Sequence, residues 1–342
     1  MQCCGFLMYV VAKAGPAAMR MGLIGASVIA PWAIVEPAKH RKHVQLQAVA
    51  ARDPARAARF AAEYGVAHVA ASYADLVTRD DIDVVYIALP ASENQRWVVA
   101  ALQAGKAVLC EKPLAVTTRQ ITVMFDAAEA AQRPLWEAMH YRHHPAMQLF
   151  LDTVRGGAIG TLQRVEARFV GHLPNKPGEI RWQAALGGGA TMDLGCYALH
   201  ALRTLLGDPL RVVSARAQFD AGIDAALSAD LVSAGGIPAH MACSFLEAEH
   251  RSQLLAFGSH GSLRFDNFTS PTWRGQLLLE QNGSRRSLPI TPSSTYAMQL
   301  DFVSRHWLAP PEKQHRVDSL ANMALIEDVL RAAGLSSPDT AS

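Results

Sequence analysis

The sequence predicts an α/β fold, with a doubly wound parallel sheet first and then an α+β domain with a large open, mainly antiparallel sheet. Three observations carry this. Short apolar strands alternate with helices between Met21 and His140. The first strand runs directly into a glycine turn and a helix, Gly25-Ala26-Ser27-Val28-Ile29-Ala30. After Pro145 the strands alternate polar and apolar residues and are joined by turn dipeptides. Strands separated by helices imply parallel βαβ units.

Met21 to Ile24 is the opening strand. The turn after it fits the dinucleotide fingerprint G-x-G-x-x-G/A with Ser27 in place of the middle glycine. Gly25 makes the tight turn, Ala30 allows close helix–strand packing, and the helix N-terminus faces a pyrophosphate. Pro31 sits in the first helical turn, where a missing N–H costs little. Val44 to Ala50 is the second strand, followed by Arg52-Asp53-Pro54. Asp53 suits the cap of a helix from Pro54 to Tyr64. Arg52 is then free to take a 2′-phosphate, which favours NADP over NAD. A short helical turn (Ala74 to Thr78), a strand (Ile82 to Leu89) and a helix (Glu93 to Ala104) come next. Ala107 to Cys110 is a buried strand that ends abruptly in Glu111-Lys112-Pro113. A charged pair and a proline pack poorly inside a sheet, and in open α/β sheets strand ends face the ligand cleft. Lys112 is therefore expected in that cleft. A helix from Thr117 to Ala131 and a strand from Pro134 to His140 complete the first half.

The second half opens with a helix (Ala146 to Arg155) and a strand (Leu162 to Val170). The glycine run Gly187-Gly188-Gly189 precedes a helix from Thr191 to Leu206. Seven strands follow, from Arg211, Ala225, Ala239, Gln253, Ser262, Gln276 and Arg286, with hairpin turns at Gly235-Gly236 and Asn282-Gly283. Two helices, Thr295 to Trp307 and Ser319 to Ala333, end the pattern. The expected division is a loose extension over residues 1–19, a dinucleotide-binding domain over 20–143, and a substrate and assembly domain over 144–342. The extension has an apolar run, Phe6 to Val11, with no basic segment before it, unlike a signal peptide.

Composition excludes several classes. The 342 residues are 50% apolar and carry a net charge of +2, so nothing points to a nucleic-acid partner. No apolar stretch is long enough for a membrane span. The five cysteines lack C-x-x-C spacing, which suits a reducing cytoplasm. His140, His143 and His144 cluster near Glu137, but no complete metal-ligand set accompanies them, and no metal is expected.

The helix after the glycine run has two faces. Leu194, Ala198, Ala201 and Leu205 form an apolar stripe, while Asp193, Tyr197 and His200 share another face at i, i+4 and i+7 spacing. The helix N-terminus favours the negative charge of Asp193. A carboxylate and a phenol beside an ammonium can orient and deprotonate a hydroxyl. His200 reads as a packed, hydrogen-bonded histidine.

Gly25 to Ala30, Glu111-Lys112-Pro113 and Gly188-Gly-Ala-Thr-Met-Asp193-Leu-Gly-Cys-Tyr197 come in an order and spacing that resemble the Gfo/Idh/MocA (glucose–fructose oxidoreductase/inositol dehydrogenase) family. Glu137 to Pro145 resembles its interdomain segment, and Tyr197 matches its sugar and dihydrodiol dehydrogenase branch. The likeness runs from about Arg20 to Leu335. It implies a Rossmann domain, a second open-sheet domain, and hydride transfer between nicotinamide and a secondary alcohol or ketone of a sugar, polyol or cyclic diol. NADP is the expected cofactor, with NAD possible. Lys112, Tyr197 and Asp193 are implied as catalytic, with Lys112–Pro113 cis. Gly25, Ser27, Val28, Ile29, Arg52, Leu89, Pro90, Asn94, Glu111, Lys112 and Arg142 are implied at the cofactor, and Lys112, Trp182, Asp193 and Tyr197 at the substrate. Arg181 is a weaker candidate. Lys112 is expected to favour the ionised form of the Tyr197 phenol. Ser27 and Asn94 depart from the family pattern. A homodimer or homotetramer through the open sheet face is implied. The rivals are a non-catalytic NADP-binding sensor or scaffold and an NAD-dependent glycoside hydrolase.

Overall fold

The computed structural model describes residues 18–335; the predicted extension falls almost wholly outside that range. The first sheet contains β1 (Met19–Ile24), β2 (Val44–Ala50), β3 (His68–Val69), β4 (Val84–Ile87), β5 (Ala107–Cys110) and β6 (Leu135–Glu137). All its pairings are parallel and the strand order is β3-β2-β1-β4-β5-β6. The order reverses between β1 and β4, which opens a crevice at their carboxyl ends. The connecting helices are α1 (Glu36–Lys39, entered through a π turn at Pro31–Val35), α2 (Pro54–Tyr64), α3 (Tyr73–Thr78), α4 (Ala91–Gln103) and α5 (Thr118–Ala131). All four residues of β4 and of β5 are buried, as strands covered on both faces must be.

The helix α6 (Pro145–Arg155) leads into the second sheet. That sheet has β7 (Leu162–His172), then α7 (Cys196–Leu206), then β8 (Leu210–Asp220), β9 (Ile223–Ser233), β10 (Pro238–Ser244), β11 (Leu246–Gly258), β12 (Gly261–Asp266), β13 (Gln276–Gln281) and β14 (Ser284–Leu288). Its order is β14-β13-β12-β11-β7-β10-β9-β8. One pair, β7 with β10, is parallel and the others are antiparallel. The last helices are α8 (Thr295–His306) and α9 (Lys313–Ala332).

Several boundaries differ from the sequence expectation, each for a local reason. The strand expected from Pro134 to His140 stops at Glu137, because its neighbour β5 ends at Cys110, the partner of Glu137. His140–His143 instead coil into a 3₁₀ turn. The helix expected from Thr191 begins as a π turn, Thr191–Gly195, where the Asp224 carboxylate accepts from the Thr191 N–H and hydroxyl at 2.7 and 2.6 Å. The last helix starts earlier than Ser319, at Lys313.

α8 packs back on the first sheet, with Leu300 and Val303 in the same apolar cluster as Met21 and Leu23 of β1. A second apolar cluster is continuous across the molecule, joining Ile24 and Val85 to Ala198, Leu254 and Phe265. The two sheets therefore share one core, and the crevice of the first sheet is closed on one side by the π turn and α7.

Candidate active site

Three strand ends build the floor of the site. Gly25 follows β1, Leu89 and Pro90 follow β4, and Glu111-Lys112-Pro113 follow β5, with the Lys112–Pro113 bond cis. They open on a cavity of about 440 Å³ whose wall includes Asp193, Tyr197 and His140. Gly25 has φ +95°, and a Cβ there would lie 2.6 Å from the Ala88 carbonyl oxygen, so the turn requires glycine. Ser27, Val28 and Ile29 face the cavity. The helix after them has no side-chain cap, leaving its N-terminal end open to an anion. Ser27 Oγ accepts from the Ala30 N–H at 3.3 Å, so serine is accommodated in the middle glycine's place.

Lys112 and Asp193 form the electrostatic centre. Lys112 Nζ donates to the Asp193 carbonyl at 2.7 Å and to its carboxylate at 2.8 Å. Arg181 Nε stands 3.3 Å from the other carboxylate oxygen. Burial works against the Lys112 ammonium, but the Asp193 carboxylate outweighs it and raises the lysine above its ordinary value. Burial likewise works against Asp193, and Lys112 with Arg181 holds it below the ordinary range. Each charge keeps the other ionised. Glu111 accepts from the Tyr86 hydroxyl at 2.8 Å, and burial raises its carboxyl.

Tyr197 enters from the first turn of α7 and is 4% exposed. Lys112 Nζ lies 5.0 Å from its ring centroid. The expected lowering of the phenol is not found. Burial pushes Tyr197 well above its ordinary value, and the Lys112 charge is already answered by Asp193. The phenol oxygen is instead hydrogen-bonded to His140 Nε2 at 2.9 Å.

His140 is the residue the sequence did not single out for this role. Its ring lies 4.0 Å, centroid to centroid, from Tyr296 of α8, which also lines the cavity. No local motif marks either residue. Of the expected cofactor residues, Asn94 is buried beside the cavity floor and donates to the Pro113 and Leu114 carbonyls at 3.4 and 3.2 Å. It bolsters the loop that carries Lys112 and does not line the cavity. Arg142 is ion-paired with Asp318 at 2.6 Å, because the 3₁₀ turn carries it away from the crevice. Trp182, expected at the substrate, is 6% exposed and donates to the Leu173 carbonyl at 3.1 Å, while its neighbour Arg181 lines the cavity. His200 is held by Tyr141 at 2.6 Å and Asp318 at 3.0 Å, as a packed histidine. The three clustered histidines part company: His144 bonds the Thr291 and Ser293 carbonyls and His143 lies against Phe302. Among the described residues no three ligating side chains converge on a metal site.

Residues 19–139 match the model of an oxidoreductase family with an NAD-binding Rossmann fold, GFO_IDH_MocA, and residues 147–264 match the GFO/IDH/MocA C-terminal domain. The chain belongs to the Gfo/Idh/MocA family. Among its relatives is a dTDP-3,4-didehydro-2,6-dideoxy-alpha-D-glucose 3-reductase of Streptomyces antibioticus, 34% identical over 92% of this chain and 97% of that one. A D-xylose 1-dehydrogenase (NADP(+)) of Haloferax volcanii is 32% identical over 84% of this chain and 88% of that one. A 3-ketoreductase from Actinomadura kijaniata, solved in complex with NADP and TDP-benzene, superposes with a TM-score of 0.85 at 28% identity, covering 92% of this chain and 97% of that one. Like these Gfo/Idh/MocA proteins, the chain is a nicotinamide-dependent oxidoreductase. No described helix is long and apolar enough to cross a membrane.

Proposed function

We propose that this protein is an NADP-preferring dehydrogenase or ketoreductase acting on a secondary alcohol or ketone of a sugar, polyol or cyclic diol. The observation that carries this is the convergence of Lys112, Asp193 and Tyr197 on one cavity at the carboxyl ends of β1, β4 and β5. The glycine turn and the open helix end suit the pyrophosphate, and Leu89 and Pro90 border the same cavity. Arg52 at the end of β2 has no carboxylate partner among the described residues, and Arg56 of α2 shares a second depression with Ser27. Both suit a 2′-phosphate.

When bound, the nicotinamide supplies a hydride acceptor or donor. The protein's residues do the rest. Lys112 presents an ammonium that binds and polarises the reacting oxygen while Asp193 fixes its direction. Tyr197 moves the proton of that oxygen. We assign residues 20–143 to cofactor binding and 144–342 to substrate and assembly. The exposed Val213 of β8, which shares a depression with Arg164, Asp230 and His240, supports a homodimer or homotetramer through the face of the second sheet opposite α7. The three buried free thiols, Cys110, Cys196 and Cys243, suit a cytoplasmic setting.

A panel of sugars, nucleotide sugars, polyols and diols with NADP(H) and NAD(H), followed by nicotinamide absorbance, tests this. Net cofactor turnover on at least one substrate is expected. Cofactor binding without turnover on any class would favour a sensor, and glycoside cleavage with no net cofactor change would favour a hydrolase.

A further inference from the structure

The hydrogen bonds around His140 admit one arrangement that satisfies every group. Its Nδ1 lies 2.7 Å from Thr295 Oγ1, and Thr295 Oγ1 lies 3.3 Å from the Thr269 carbonyl. That carbonyl can only accept, so the threonine hydroxyl donates to it. Nδ1 must then carry the imidazole proton and donate to Thr295. A neutral imidazole has one proton, so Nε2 holds a lone pair, and Tyr197 donates its hydroxyl proton to it. The phenol oxygen's lone pairs are left for the cavity, where they can accept a substrate hydroxyl.

We propose that His140 is the proton acceptor behind Tyr197: as the phenol oxygen takes the substrate's hydroxyl proton, its own proton passes to His140 Nε2. The alcohol is oxidised and the bound nicotinamide, as proposed above, is reduced by the hydride. One O–H bond breaks on the substrate and one forms on Tyr197, while the old phenol O–H breaks and an N–H forms on His140. The phenol stays neutral throughout, and the imidazole becomes an imidazolium. Its proton returns to water through the cavity that His140 lines. The same steps run backwards in ketone reduction, with the imidazolium supplying the proton.

Burial sets the resting state of the pair. A free phenolate at Tyr197 is strongly disfavoured. Burial, with Lys112 adding to it, lowers His140 to about 3, so the imidazole rests neutral with Nε2 open. The charged and titratable groups around the pair are Glu111 and Lys112 at the end of β5, Asp193 and Cys196 beside α7, Tyr296 on α8 and His143 on its own turn. Lys112 and Arg181 balance Asp193 and Glu111 when all are ionised, so these groups leave no net charge beside the pair.

The proposal rests on the dehydrogenase function given above, and its test separates the two. His140→Gln can still accept from Tyr197 and donate to Thr295, but it cannot take a proton. The unmutated enzyme should oxidise its alcohol at a nearly level rate from pH 7 to 9. In His140→Gln the rate at pH 7 should fall about a hundredfold or more and climb about tenfold per pH unit, as Tyr197 must ionise alone. A level profile in His140→Gln would overturn the relay. Nitrogen-15 NMR of the cofactor-free, unmutated protein reads the resting state without any activity. The Nδ1–H tautomer is expected at His140, with its Nε2 resonance displaced in Tyr197→Phe. An Nε2–H tautomer would overturn the proposal even if turnover is found. Absence of turnover on every substrate would overturn the dehydrogenase function and with it the relay's catalytic role, whichever tautomer is observed.

Discussion

Lys112 and Asp193 join the two sheets at the cavity: the lysine at the end of β5 donates twice to the aspartate of the π turn, at 2.7 and 2.8 Å. This contact holds Lys112 Nζ over the Tyr197 ring and keeps an ammonium ionised although its side chain is only 13% exposed. The pair is thus a structural clasp and, in the function proposed above, the source of positive charge for the reacting oxygen.

Removing either member should separate binding from chemistry. Lys112→Ala is expected to lower kcat about 10²–10⁴-fold with cofactor Kd changed little, because the pyrophosphate end of the site lies at Gly25 to Ile29. Asp193→Asn leaves the ammonium without its carboxylate, so burial should lower the lysine's pKa and make kcat fall as pH rises through that value. Stopped-flow turnover with fluorescence titration of the cofactor measures both. A large rise in cofactor Kd with kcat unchanged would place Lys112 in binding alone.

Arg52 and Arg56 should set cofactor choice. Charge-assisted hydrogen bonds contribute about 1.5–3 kcal/mol. Arg52→Ala is therefore expected to weaken NADP(H) about tenfold or more and to leave NAD(H) nearly unchanged, with Arg56→Ala acting in the same direction. Equal losses for both cofactors in calorimetry would show that these side chains do not meet a 2′-phosphate.

Most of the fold was legible because apolar strands, turn glycines and helix caps are local. The Asp53 cap is one such case, accepting from the Ala55 N–H at 2.9 Å. Lys112, Asp193 and Tyr197 were legible because each sits beside a break in pattern: a charged strand end, or a polar face after a glycine run. Arg142 and Trp182 lie next to equally suggestive residues, yet their side chains turn to Asp318 and the Leu173 carbonyl. Residue type does not report side-chain direction. His140 meets Tyr197 from 57 positions away, and Tyr296 arrives on a helix that returns to the first sheet, so neither leaves a trace in local spacing. The parallel pairing of β7 with β10 is equally invisible to alternation, which is the same in both pairings.

Glu137 should make stability fall with rising pH. Burial pushes its carboxyl from about 4.5 up to about 7, against the Ser319 hydroxyl and the Leu114 N–H, which favour ionisation. The folded value is the raised one. Its stabilising contribution is therefore full below the ordinary carboxyl range and is lost as pH rises through about 7. Glu137→Gln removes the titration. Its Tm relative to the unmutated protein should improve between pH 5 and 8 by about 3–6 °C, since titration across roughly two pKa units corresponds to about 3 kcal/mol and each kcal/mol moves Tm by about 1–2 °C in a chain of this size. A Tm difference constant across that range would show that the carboxyl does not titrate there.

Gly189 links backbone strain to the site. Its φ is +125°, and a Cβ would lie 2.2 Å from Asp224 Oδ1. That same carboxylate holds the Thr191 N–H and hydroxyl, and the Asp193 N–H donates to the Gly189 carbonyl at 3.0 Å. An added methyl must displace Asp224 or rotate the backbone, and either change moves the turn that presents Asp193 to Lys112. Gly189→Ala is expected to cost at least about 1–3 kcal/mol from the strained conformation alone and to reduce kcat, while cofactor affinity stays near that of the unmutated protein. Gly65→Ala is the control: φ is +70° there with no atom within 4 Å of a built Cβ, and it lies at the end of α2, far from Lys112. It should lose stability and keep kcat. Denaturant unfolding and steady-state rates on both variants decide the matter. Equal kcat in the two would mean that the clasp between Lys112 and Asp193 survives displacement of the turn that carries it.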